Sequence, residues 1–235
     1  MQPARLERIL RLKIPFYIAA AVLQIAGIYL GLLWAPILST GFSSPVAQRI
    51  FYFHLGAALA SYVGFSVTLV GSVLYLRKRD LFFDSLSRDA AGLGLAFALM
   101  VLTSGPLWGY AEWGTPWRFD DARLMTYLTL GLVFVGYFAV RRSAPNPAER
   151  ARSAALYAIV GYVLVPLSFL SVLIFRSLHP RVVLPGGGGI GPEGGMVVGI
   201  CVTAAMLLFV ALLLSRTELT LLEAKIERLQ QGVEA

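Results

Sequence analysis

Two histidines, His54 and His179, and four tryptophans, Trp34, Trp108, Trp113 and Trp117, are the residues of this 235-residue chain with the most chemistry to offer. A neutral imidazole ligates a metal or hydrogen-bonds at an interface, and it titrates near neutrality. An indole brings a large aromatic face and a single N–H donor. What such residues can do together depends on which elements carry them to one place.

Those elements are membrane helices. Of the residues, 57% are hydrophobic and 14% charged, against about 45–50% and about 25% in ordinary soluble domains. The apolar residues form long blocks, each sufficient for the ~18 or more residues that carry a helix across a bilayer core. Segments of alternating polarity, as in a transmembrane barrel, are not seen. The fold class is therefore all-α, a polytopic membrane protein with six transmembrane helices. They are placed near Ile14 to Trp34, Ile50 to Leu76, Ala90 to Tyr110, Leu124 to Val140, Ala154 to Phe175 and Met196 to Leu214. Residues 1–214 make the membrane domain, and 215–235 a short cytoplasmic C-terminal helix. The first apolar stretch runs to full spanning length, which argues against a cleavable signal peptide.

The net charge of +7 reads as topology rather than nucleic-acid binding, because short basic loops stay cytoplasmic. Fifteen of the twenty Lys and Arg residues fall at the N-terminus, in the second-to-third and fourth-to-fifth connections and at the C-terminus. Arg49, Arg118, Arg123, Arg176 and Arg181 fall on the other side. Both termini are thus expected in the cytoplasm, and both histidines and all four tryptophans at the outer face.

Interfacial preference alone explains Trp34, but it explains poorly why no tryptophan sits at the inner interface. For His54 the bland reading is an interfacial hydrogen bond, and for His179 a solvated loop side chain. Their pairing on one side changes the weighing. Two imidazoles from different elements can occupy both axial positions of a haem iron, with aromatic walls and cations for the propionates. Zinc would need three or four ligands, for which the outer side adds only Glu112, Asp120, Asp121 and Glu193. The single cysteine, Cys201, excludes an internal disulfide, a multi-thiolate site and the paired thiols of covalent haem attachment.

The segment 108–123, reading Trp108-Gly109-Tyr110-Ala111-Glu112-Trp113-Gly114-Thr115-Pro116-Trp117-Arg118-Phe119-Asp120-Asp121-Ala122-Arg123, resembles the tryptophan-rich WWD motif of haem-handling proteins in cytochrome c maturation. With Arg49-Ile50-Phe51-Tyr52-Phe53-His54 opening the second span and His179 after the fifth, the whole chain is most similar to the CcmC, or haem exporter protein C, family. Pro116 and Phe119 stand where that family has tryptophans, and either Asp120 or Asp121 takes the place of the motif aspartate. The resemblance implies a protein of the bacterial cytoplasmic (inner) membrane. It would bind haem b non-covalently at the outer face and deliver it to the haem chaperone CcmE. Its further partners would be CcmA and CcmB, with CcmD as another candidate, and membrane lipid. It implies His54 and His179 as axial ligands, Trp113, Trp117 and Phe119 as a platform with Trp108 at its edge, and Arg118 or Arg123 on the propionates. Asp120 and Asp121 belong to the same motif.

Other classes remain open: a single-haem electron-transfer cytochrome b, a haem-attachment synthetase subunit, or a permease. The short chain argues against the synthetase, and span interiors nearly free of ionisable groups argue against the permease. The stretch Gly189-Ile190-Gly191-Pro192-Glu193-Gly194 matches GxGxxG without a preceding strand, so it reads as a loop. Gly27 and Gly31 have small-xxx-small packing spacing, and Cys201 reads as packing. In the tail, Leu219, Leu222, Ile226 and Leu229 share one helix face.

Overall fold

The computed structural model describes residues 11–37, 43–179 and 190–233. Arg5, Arg8, Arg181 and the glycine run before Ile190 lie outside them. Helix α1 (Lys13–Tyr29) runs on into a π-helical turn, Leu30–Trp34, and a 3₁₀ turn, Ala47–Arg49, leads into α2 (Ile50–Lys78). They are followed by α3 (Leu81–Trp113), α4 (Ala122–Ser143), α5 (Pro147–Gly161), α6 (Leu164–Ile174) and α7 (Gly191–Val233). Among the described residues, six helical stretches are long and apolar enough to cross a membrane, with α5 and α6 forming the fifth. The chain is a multi-pass membrane protein, and each expected span lies within one of these stretches, except that the fifth ends at Ile174, one residue short of the expected Phe175.

The differences lie at the ends, and each has a cause. The third span begins at Leu81 rather than near Ala90, because its charged residues are neutralised. Arg141 forks onto Asp84 at 2.6 and 2.8 Å, and Asp89 meets Arg88 at 2.9 Å and Thr220 at 3.2 Å. At its other end it runs through Glu112 and Trp113, and stops at Gly114, whose φ of 71° is the left-handed cap glycine tolerates best. Residues 111–113, expected in the outer loop, are therefore helix. The fifth span breaks at Tyr162–Val163. Pro166 cannot donate to the Tyr162 carbonyl, which accepts from Val165 instead at 2.8 Å. The tail does not start a separate helix; it continues α7 to Val233. At 1.5 Å per residue those 43 residues span about 64 Å, twice a bilayer core of about 30 Å. The stripe Leu219, Leu222, Ile226 and Leu229 is exposed along the continuation.

Helix α2 is the centre of the bundle. Lipid gives apolar side chains little reason to leave it, so membrane helices associate through close packing of small residues and interhelical hydrogen bonds. A Cβ on Gly64 would lie 2.8 Å from the Gly94 Cα, so α2 and α3 touch backbone to backbone there. Gly27 admits the Cys201 side chain and Gly31 the Tyr52 ring, which bears out both packing expectations. Hydroxyls complete the contacts: Ser61 to Tyr127 at 2.7 Å, Tyr62 to Ser168 at 3.0 Å and Ser72 to Ser87 at 2.9 Å.

Side-chain links also show which helix ends share a side. At one end Lys13 pairs with Glu218, Arg88 donates to Thr220, and Arg141 holds Asp84. At the other, Ser43 and Ser44 amides donate to Glu112, Gln48 reaches the Pro36 carbonyl, and Asp121 receives Ser177 and Leu178. His54, Trp108 and His179 are all at this second end.

Candidate functional site

His54 stands one turn into α2, and its Nδ1 lies 2.9 Å from the Ser104 Oγ of α3. Gly105 leaves room for the ring; a Cβ there would sit 3.4 Å from the imidazole Cε1. His179 comes from the loop after α6, and Asp121 holds that loop. One Asp121 carboxylate oxygen caps α4, accepting from the Arg123 and Leu124 amides at 2.9 and 3.2 Å. The other accepts from the Ser177 hydroxyl and the Leu178 amide, both at 2.8 Å. The same Ser177 oxygen accepts the His179 amide at 3.0 Å. One buried carboxylate thus fixes both the start of α4 and the approach of His179.

The two imidazole rings come to 6.3 Å between centroids, tilted by 39°. Trp108 lies edge-on to His179 at 6.1 Å and to Trp113 at 5.0 Å. Together with Trp117, Arg123, Tyr52 and Tyr127 they line a partly open, largely apolar cleft, the kind of concave site with a few convergent polar groups in which small molecules bind. Burial first, then the charge of Arg123 and the neighbouring His54, pushes the His179 imidazole down to about 3, with Asp121 opposing. The ring is therefore neutral at physiological pH, as a metal-ligating imidazole must be.

Buried polar atoms in folded proteins are nearly always partnered. Among the described residues the buried side-chain polar atoms without a partner are Gln48 Oε1, Arg49 Nε, Trp108 Nε1, Trp117 Nε1 and His179 Nδ1. Four of these five residues line the cleft. Such a concentration of unmet donors and acceptors in one apolar cavity marks a place built around something else.

Of the sequence candidates, the structure brings together His54, His179, Trp108, Trp113, Trp117 and Arg123. It does not bring Phe119, Arg118, Asp120 or Asp121 into the lining. Phe119 is 77% exposed. Arg118 is engaged by Asp120 at 2.7 Å, and this holds the Asp120 carboxyl below its usual range. Of the two aspartates, Asp121 is the one beside the site, touching the His179 loop rather than the lining. Arg123 reaches the Ser168 and Phe169 carbonyls at 2.5 and 3.1 Å and lies over the Tyr62 ring. Ser104, Ser177, Gln48 and Tyr127 carry no motif and emerge only once the helices are assembled, and Tyr52, within the stretch 49–54, joins the lining as well. Among the described residues no three His, Cys, Asp or Glu side chains converge as a metal-binding group.

A family model described as Heme exporter protein C matches residues 1–232. The chain is 29% identical over 97% of its length to Heme exporter protein C of Bradyrhizobium diazoefficiens, covering 86% of that protein. It is 30% identical over 80% of its length to the protein of the same name from Paracoccus denitrificans, covering 78% of it. For the Escherichia coli K12 protein of that name the identity is 30%, over 75% of this chain and 71% of the relative.

Proposed function

We propose that this chain, which belongs to the haem exporter protein C family, takes up one haem b non-covalently in the cleft and delivers it to the chaperone CcmE during cytochrome c maturation. The observation that carries the reading is the pair of imidazoles brought together in a tryptophan-walled cleft. Their ring centres lie 6.3 Å apart, one from α2 and one from the loop after α6, so both would be available to one bound group. A site offering two imidazoles, and not three or four convergent ligands, suits an iron whose equatorial positions are already filled by a porphyrin.

His54 and His179 would be the residues that hold the iron. Trp108, Trp113 and Trp117 supply aromatic walls, and the two unpartnered indole N–H groups and Arg123 supply donors for the carboxylates of the haem edge. Arg118 and Phe119, turned outward, are left for the recipient. What the protein contributes is orientation: it holds the porphyrin at one end of the bundle, where a vinyl edge can be met by the chaperone. CcmA, CcmB and CcmD are the partners for haem supply and release. Residues 1–214 form the haem-handling domain, and 215–235 its cytoplasmic extension.

Titrating the purified chain with haem tests this reading, with saturation at one haem per chain and a low-spin, bis-imidazole visible spectrum expected. A high-spin spectrum, or none, would overturn it.

The proposal places the cleft at the outer face of the bacterial cytoplasmic membrane, with both termini inside. Basic residues at the opposite end, including Lys13, Arg77, Lys78, Arg79, Arg88, Arg141, Arg142 and Arg216, support this. A reporter active only outside should work when fused after Gly114 and be silent after Asp80, Pro147 or Ala235. The reverse pattern would put the cleft in the cytoplasm and exclude delivery to an outer-face chaperone.

A further inference from the structure

Ser104 makes more than one contact, and the pattern is directional. Its Oγ lies 2.7 Å from the Met100 carbonyl, 3.4 Å from the Val101 carbonyl and 2.9 Å from His54 Nδ1. A hydroxyl has one hydrogen, and carbonyl oxygens only accept. At 2.7 Å that hydrogen must lie between Ser104 Oγ and Met100 O, because two oxygens that close without one would repel. The Oγ can then only accept from the imidazole, so Nδ1 carries the proton.

We propose that Ser104 is a positioning residue that holds His54 as its Nδ1–H tautomer and so presents Nε2, with its lone pair, as the nitrogen that ligates iron. The ligand role rests on the haem reading above; the tautomer does not. A neutral imidazole in water favours the other tautomer, with Nε2 protonated and unable to ligate, so the hydrogen bond removes a step that would otherwise precede binding. It also orients the ring and makes it a stronger donor, as partners of metal-bound histidines generally do. Because Met100 and Ser104 are on the same helix, the direction of the Ser104 hydroxyl is set by α3 alone, and the packing of α2 on α3 brings His54 to it.

The test uses the full chain in detergent with nitrogen-15-labelled histidine. Only two imidazoles contribute signals, and a His179→Ala variant assigns those of His54. In the haem-free protein, His54 should show the Nδ1–H pattern. Ser104→Ala should shift it toward the Nε2–H pattern and weaken haem binding about 10–100-fold, whereas Ser104→Thr, which keeps the hydroxyl, should retain both properties. An Nε2–H pattern in the unmodified chain would overturn the proposal, as would Ser104→Ala binding haem as tightly as the unmodified chain while that chain shows its low-spin spectrum. In the latter case the haem reading itself stands. If the tautomer is as expected but the unmodified chain takes up no haem, the haem reading fails, and with it the ligand role of His54 that Ser104 would serve.

Discussion

Replacing either His54 or His179 with alanine is expected to abolish the low-spin haem spectrum, and replacing both should take bound haem from about one per chain to near none, since iron loses both its axial nitrogens. The variants are informative because neither histidine carries the fold. The loop that bears His179 is fixed by Asp121 through Ser177 and Leu178, and those bonds survive His179→Ala. Removing the His54 ring frees one hydroxyl, Ser104, which keeps its bond to Met100. Thermal unfolding and detergent-solubilised elution should therefore stay close to those of the unmodified chain while the visible spectrum is lost. The single variants should differ in residual binding. His54 projects from a rigid spanning helix, so His179→Ala keeps one well-placed ligand and should retain a high-spin, five-coordinate form. A double variant that still shows the low-spin spectrum would remove both histidines from the site.

The sequence made the architecture legible because membrane spans are written in long apolar blocks, and the backbone's need to satisfy its own hydrogen bonds leaves helices as the consequence. Charge was the less legible part. Asp84 and Asp89 look like span-ending residues in isolation, yet Asp80 caps the helix nine residues earlier, and Arg141 and Thr220 from distant positions, with the neighbouring Arg88, partner both carboxylates. The site shows the same division. His54, His179 and the tryptophans stand out by type, but what orients them does not. Ser104 is fifty residues from His54, and a serine in an apolar helix has no signature of its own. Asp121 and Asp120 are neighbours of identical chemistry. One is a buried clamp between α4 and the His179 loop, and the other an exposed partner of Arg118, because helix α4 starts at Ala122 and its cap position is therefore Asp121. Phe119 is implied as part of a platform by the family resemblance, yet the turn that sets up this cap leaves it facing outward.

Replacing Trp113 and Trp117 together with alanine should weaken haem binding and, beyond that, uncouple binding from delivery. Trp113 packs edge-on to Trp108 and its ring covers Gly109, while Trp117 has its indole N–H buried with no partner among the described residues. Aromatic pairs contribute about 0.5–1.5 kcal/mol each beyond buried area. Losing two such contacts corresponds to binding weaker by about ten- to hundredfold. That loss can be offset by raising haem, because His54, His179 and Trp108 remain. Delivery should not recover. Both indoles lie where α3 ends and the chain turns toward α4, beside outward-facing Phe119 and Arg118, so they form the wall of the cleft nearest any recipient. An electron-transfer cytochrome would need that wall only to shield the porphyrin, and refilling its site would restore function. A presenting protein needs it to hold the exposed haem edge at the angle the recipient requires. The measurement is covalent haem on CcmE in membranes carrying the variant, divided by haem bound to the variant itself. A ratio that falls well below that of the unmodified chain assigns the tryptophans to presentation. An unchanged ratio would reduce them to an interfacial belt and turn the reading toward a cytochrome.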